Sequence, residues 1–266
     1  MINFERVRTI IQKEWAEMFK NRVVLFTVVL MPVLFTALPI IMLAVMGSST
    51  STAAASTSDV PAQFARTCGN MNASDCMQVY LINEFLLLYM IMPVMIPITI
   101  AAYSIVGEKA THSLEPLLAT PITTEELLLG KGLAAVIPAV MATIGAFAIF
   151  LIVLPLTGAS AGVRHYVAGP TWLLAILLVG PLMSVAAVNF AIFVSSRTTD
   201  PRVAEQVSAI LILPVLLVLF SQLAGFITIN VPSVLIASVV LIAADVALIM
   251  AGTKLFQRET ILTRWK

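Results

Sequence analysis

The sequence predicts an all-α integral membrane protein with six transmembrane helices, an amphipathic helix ahead of them, and both ends of the chain on the cytoplasmic side. Three observations predict it. First, 60% of the 266 residues are hydrophobic, 11% are charged, and the mean hydropathy is +1.02. A soluble domain carries roughly 25% charged residues, and a soluble fold of this size must still expose much of its surface. Lipid is therefore the expected solvent for most of the chain. Second, six stretches reach the ~20 apolar residues that a spanning helix needs. Third, with the N-terminus inside, 13 lysines and arginines fall on inside segments and only Arg66 and Arg164 fall outside. That is the bias of the positive-inside rule, and one helix more or fewer would break the alternation. The net charge of +1 gives no reason to expect a nucleic-acid partner.

Residues 1–22 come first. Phe4, Val7, Ile11, Trp15 and Met18 recur at spacings of three and four, one face of a helix. Glu5, Arg6, Arg8, Gln12, Lys13, Glu14 and Glu17 cover the rest. Such a helix lies in the membrane interface with its charges in water. The apolar run after it, 23–46, is too long and too late for a cleavable signal and reads as a retained first span.

The loop 47–78 opens with a Ser, Thr and Ala tract, Ser48 to Ser58, which cannot bury a core. It also holds the two cysteines, Cys68 and Cys76, on the outside, where disulfides persist. A bridge between them would contribute about 2–3 kcal/mol in the chain-entropy model; two unpaired thiols are the alternative. Asn72-Ala73-Ser74 fits a glycosylation pattern, which short sequences often match by chance.

The remaining spans are 79–106, 133–156, 171–194, 207–229 and 234–252, followed by a tail at 253–266. Asn230-Val231-Pro232-Ser233 predicts a tight turn between the last two spans. Prolines 32, 39, 93, 97, 138, 181 and 214 interrupt five of the spans, as membranes tolerate.

Two inside loops carry local structure. Between the second and third spans, Leu114, Leu117 and Leu118 share one side of a short helix, and Thr120-Pro121 breaks it. Thr123 and Glu126 then form a capping box that opens a helix into the third span. An apolar patch in such a loop calls either for a protein partner or for packing on the chain's own helices. In the loop at 195–206, Asp200 caps a helix with Pro201 at its first position. Asn189, Gln222 and Asp245 stand out as polar residues inside spans. A carboxylate at mid-membrane costs about 2.5–3.5 kcal/mol on insertion scales, so Asp245 faces a cavity, a cation or a hydrogen-bonded neighbour.

The sequence has no phosphate-binding loop of the form G-x-x-x-x-G-K-[ST] and no nucleophile elbow. Its two histidines, His112 and His165, fall on opposite sides of the membrane, so they cannot share a metal or a catalytic task.

Val106-Gly-Glu-Lys109 with Ser113-Leu-Glu-Pro-Leu-Leu-Ala-Thr-Pro-Ile-Thr123 closely resembles the signature of type-2 ABC exporter permeases, apart from Ser113, where threonine is more usual. Ile11-Gln-Lys-Glu-Trp-Ala-Glu17, Asp200-Pro-Arg-Val-Ala-Glu-Gln206 and Phe256-Gln-Arg-Glu-Thr-Ile-Leu-Thr-Arg-Trp265 resemble further segments of that family, in the same order. The resemblance implies a single transmembrane permease domain over residues 1–266. It implies a second permease subunit, identical or related, and two separate ATPase subunits that carry the ATP and Mg, with no cofactor on this chain. Residues 1–22 become a connecting helix. The first inside loop becomes the coupling helix, with Glu108, Leu114, Glu115, Leu117, Leu118, Thr120 and Pro121 facing the ATPase. Asp200, Arg202 and Glu205 mark the second cytoplasmic loop. The expected location is the cell membrane. From residues alone, an ion-coupled transporter using Asp245 and a non-transporting assembly protein stay open.

Overall fold

The computed structural model describes residues 3–48, 61–65, 68–69, 71–110 and 122–255. Among these residues there is no β-strand. Helix α1 is Phe4–Met18 and α2 is Arg22–Ser48. A single turn, α3, at Ala62–Ala65 leads to α4 (Ala73–Tyr89) and α5 (Met92–Ala110). Next come α6 (Thr124–Val153), the short α7 (Ala161–Val167) and α8 (Pro170–Leu174), and α9 (Gly180–Ser195). The last three are α10 (Pro201–Ser208), α11 (Leu213–Leu223) and α12 (Val231–Leu255).

Among the described residues, six segments are long and apolar enough to cross a membrane: Arg22–Met46, Ala73–Glu108, Glu125–Thr157, Ala161–Ser195, Pro201–Leu223 and Val231–Gly252. The second is the centre of the bundle. Its most apolar window is 78% buried, against 17% in the first, fifth and sixth. Helix α5 packs on α9, α6, α10 and α2. The exposed faces of α2, α11 and α12 carry Phe26, Val33, Leu217, Phe220, Ile236 and Val239, which is what lipid or another apolar surface requires.

The prolines divide by consequence. Pro32 and Pro39 stay inside a continuous α2. Three others follow irregular backbone. The second span breaks at Met90–Ile91, just before Pro93. A π-helical stretch at Ala175–Val179 precedes Pro181, and a 3-10 stretch at Ala209–Ile212 precedes Pro214. Proline has no N–H for the carbonyl four residues back, and a local change of helix type accommodates the gap.

Several expected boundaries move. The second to fifth spans begin as helix earlier than 79, 133, 171 and 207, because less apolar turns precede the apolar runs, and Thr123, Ser160 and Asp200 cap the last three of these starts. The fifth span does not reach 229. Gly225 stands at φ 74, the Phe226 amide donates to the Ser221 carbonyl and the Gly225 amide to that of Gln222. This is a left-handed glycine stop of the Schellman type. The turn then occupies residues 224–230, and α12 begins at Val231 rather than 234. Asn230 and Ser233 cap it reciprocally, each side chain accepting from the other's amide, at 3.0 and 2.9 Å. The turn expected at Asn230-Val231-Pro232-Ser233 is therefore a helix start.

A disulfide joins Cys68 and Cys76. It lies at the end of the bundle where α7 packs on the start of α4. The opposite end carries α1.

Candidate functional site

Helix α1 is held at its start by Asn3, whose side chain accepts from the Glu5 amide. Its inward face is not the expected one. Val7, Ile10, Glu14 and Met18 are buried, whereas Phe4 is 83% exposed and Trp15 only partly covered. A carboxylate thus sits in the middle of the buried stripe. The reason lies in what it meets.

Glu14, Glu108 and Lys131 are each 6% exposed. The Lys131 ammonium lies 2.8 Å from a carboxylate oxygen of Glu14 and 2.8 Å from one of Glu108. It also donates to Ser104 Oγ at 2.8 Å, and that hydroxyl donates onward to Glu14 Oε2 at 2.5 Å. Lys13 pairs with Glu108 and closes the cluster toward Glu14 at 3.4 Å and Glu17 at 3.3 Å. Three helices meet here: α1 through Lys13 and Glu14, α5 through Ser104 and Glu108, and α6 through Lys131.

Charges buried this deeply persist only when paired and hydrogen-bonded. Burial pulls the Lys13 ammonium downward, but its bond to Glu108 and the charges of Glu14, Glu108 and Glu17 outweigh it and hold the group above its usual 10.5. Burial pushes Glu14 upward, but the charge and hydrogen bond of Lys131 dominate and hold it below its usual 4.5. Stability from Glu14 is therefore present above 4.5 and is lost as pH falls through the depressed value; that from Lys13 is present below 10.5 and is lost as pH rises through the raised one. Both contributions are in place throughout the neutral range. Carboxylate oxygens of Glu14, Glu17 and Glu108 lie within 4.8 Å of one another. That spacing suits a cation, but the two ammonium groups already sit among them, so the cluster acts as an ionic tether.

A second set of contacts repeats the tether at the other end of α1. Glu126 closes the capping box expected at the start of α6, its Oε2 accepting from the Thr123 amide at 2.9 Å. Its Oε1 accepts from the Asn3 amide at 2.8 Å, and Arg6 stands 3.5 Å away. One carboxylate thus serves two helix N-termini. Just past the ionic cluster on both helices, the Trp15 indole donates to the Ala134 carbonyl at 3.0 Å. Ala134 lies four residues before Pro138, so the helix itself supplies no N–H there; the indole supplies it. A cavity of about 180 Å³ lined by Glu14, Glu17, Asn21 and Tyr103 opens between α1, α2 and α5.

Helix packing here is close. A Cβ on Gly130 would lie 2.7 Å from Ile10 Cγ2 and 2.8 Å from Ile10 Cβ. Gly130→Ala is expected to loosen α1 by about 1–3 kcal/mol, the usual range for overpacking, and Ile10→Ala in the same chain is expected to restore it. Amide exchange of α1 reads both; equal protection in wild type and Gly130→Ala would contradict the packing.

Of the expected site residues, Leu114, Glu115, Leu117, Leu118, Thr120 and Pro121 lie outside the described residues. Glu108 is in the cluster above. Asp200 caps α10, accepting from the Arg202 amide at 2.8 Å, and Arg202 itself is exposed. Glu205 reaches into the bundle and accepts from Thr99 of α5 at 2.6 Å. Asn189 donates to its own helix, to the Val185 carbonyl at 2.9 Å. Gln222 is buried and donates to Glu84 Oε1 at 2.8 Å. Asp245 is buried, and neither of its carboxylate oxygens has a hydrogen-bond partner among the described residues. Ser104 and Lys131 are site residues with no local signal in the sequence, whereas Glu84 is an acid inside a span by the same criterion that picks out Asp245.

The structure thus ties α1 to both α5 and α6, the helices on either side of residues 111–121 in the sequence. A family model described as ABC-2 family transporter protein matches residues 8–257. No curated protein matches the chain.

Proposed function

The chain belongs to the ABC-2 transporter family and is a multi-pass membrane permease of an ABC transporter; within that family we propose that residues 108–121 are the segment through which separate ATPase subunits drive it. The proposed assembly is a dimer of permeases, identical or related, each a single transmembrane domain over 1–266, with two ATPase subunits carrying ATP and Mg. Both termini face the cytoplasm of the cell membrane, as the lysine and arginine bias requires. Membership in an ATP-driven family argues against the ion-gradient and non-transporting readings.

One observation carries the proposal. The two helices that flank residues 111–121 are α5 and α6, and α1 grips both, through Lys13, Glu14, Glu108 and Lys131 at one point and Glu126 at another. A push on 111–121 then moves three helices as one body. Because α5 is the centre of the bundle, that motion reaches every span packed on it. Rigid elements with two discrete arrangements carry coupling in this way.

Co-expression with the ABC ATPases of the same genome, one at a time, tests the assembly. The expected result is a detergent-stable complex with two copies of each subunit by native mass spectrometry. A chain that purifies alone, with no ATPase retained, overturns it.

A further inference from the structure

At the disulfide end of the bundle, Glu84 and Asn83 of α4 are 9% and 1% exposed, and Gln222 of α11 is 2% exposed. Gln222 Nε2 donates to Glu84 Oε1 at 2.8 Å, and the Tyr166 hydroxyl of α7 donates to Asn83 Oδ1 at 2.9 Å. Two oxygens of the first pair are left over. Glu84 Oε2 and Gln222 Oε1 are both buried, and neither has a hydrogen-bond partner among the described residues. No lysine, arginine or histidine among the described residues forms an ion pair with Glu84.

The ionisable groups around Glu84 are few. On α4 the nearest is Tyr80, one turn away, and on α7 it is Tyr166; Arg164 and His165 of α7 are exposed. Helix α11 contributes none. Those of α2 and α5 among the described side chains, namely Arg22, Tyr103 and Glu108, belong to the far end of the bundle. An ionised Glu84 would thus be a buried carboxylate with no cation, set beside an amide oxygen that also lacks a donor. Both defects are costly away from water.

A single proton removes both. Placed on Glu84 Oε2, it is donated to Gln222 Oε1. The acid and the amide then exchange two hydrogen bonds, each giving one and accepting one. We propose that Glu84 holds a proton in this conformation and that the Glu84–Gln222 pair is a proton-dependent latch between the second and fifth spans. The latch matters because α11 has little else to hold it: Gln222 and Val215 are its only buried residues. Loss of the proton sets two acceptors against each other and releases the end of α11, with the Gly225 turn that follows it.

The full chain in nanodiscs, labelled with carboxyl-13C glutamate, tests the proton directly. Its infrared spectrum at neutral pH is expected to show the carbonyl band of a protonated glutamic acid, and Glu84→Gln is expected to lose it. Absence of that band in the wild type overturns the proposal whether or not the variant folds; its persistence in Glu84→Gln does so as well. Amide exchange over 222–226, corrected for intrinsic base catalysis, tests the latch. In the wild type it is expected to rise about tenfold as the medium is made alkaline, the equivalent of roughly one lost hydrogen bond, and to stay low in Glu84→Gln. The same rise in both chains overturns it.

Discussion

Lys131→Met is expected to abolish transport while leaving the protein in the membrane and bound to its ATPase. The substitution leaves Glu14 and Glu108 buried and takes away the ammonium that their two carboxylates share. Removing one partner of a buried ion pair is destabilising by about 3–5 kcal/mol, because the other charge stays behind. Here the loss falls on the joint between α1, α5 and α6, not on the apolar core, so the spans stay assembled. Amide exchange of α1 is expected to rise to that of a frayed helix, and ATP hydrolysis by the complex is expected to lose its dependence on transport. Two further variants separate a tether from mere packing. Lys131→Arg keeps the charge and is expected to recover part of the activity. Lys131→Met combined with Glu14→Gln removes the orphaned charge and is expected to recover stability without recovering coupling. Unchanged transport by Lys131→Met would show that the cluster is not used.

Leu117→Arg and Leu118→Arg are the second large effect. These residues belong to the leucine patch of the first inside loop, between the two helices that α1 grips. Contact anchors of this kind carry roughly 2 kcal/mol or more each, so the affinity for the ATPase is expected to fall about thirtyfold or more for each variant. Insertion and folding are expected to be unaffected, as shown by an unchanged gel-filtration profile of the isolated permease. ATPase binding by surface plasmon resonance gives the number. Wild-type affinity in both variants would mean that the leucines pack on the permease itself.

What the sequence made legible was local. The capping box of Thr123 and Glu126 and the Asp200–Pro201 helix start need only neighbouring residues, and both stand in the structure. The six spans were legible because each is an apolar run, although their ends were not. The stop at Gly225 was written in the sequence as a lone glycine, but apolar Phe226, Ile227 and Ile229 carry the hydropathy past it. The inward face of α1 was not legible. Periodicity put Glu14 on the wet side, because the residues that pay for its burial, Ser104 and Lys131, lie 90 and 117 positions away. The Trp15 contact was hidden for a similar reason: it depends on a carbonyl that Pro138 leaves unpaired in another helix. Glu84 differs, since an acid within a span is a signal in itself, and its partner Gln222 was already marked as a polar residue within a span.

The central claim is that residues 108–121 face an ATPase and that α5 and α6 carry its motion. Photo-crosslinking tests this most directly. A photoreactive residue placed at Leu117 in the intact transporter is expected to yield a crosslink to the ATPase subunit that depends on nucleotide state, while the same probe at Arg164, at the disulfide end, is expected to yield none. A crosslink to the ATPase from Arg164 and none from Leu117 would contradict both the coupling role and the orientation of the chain.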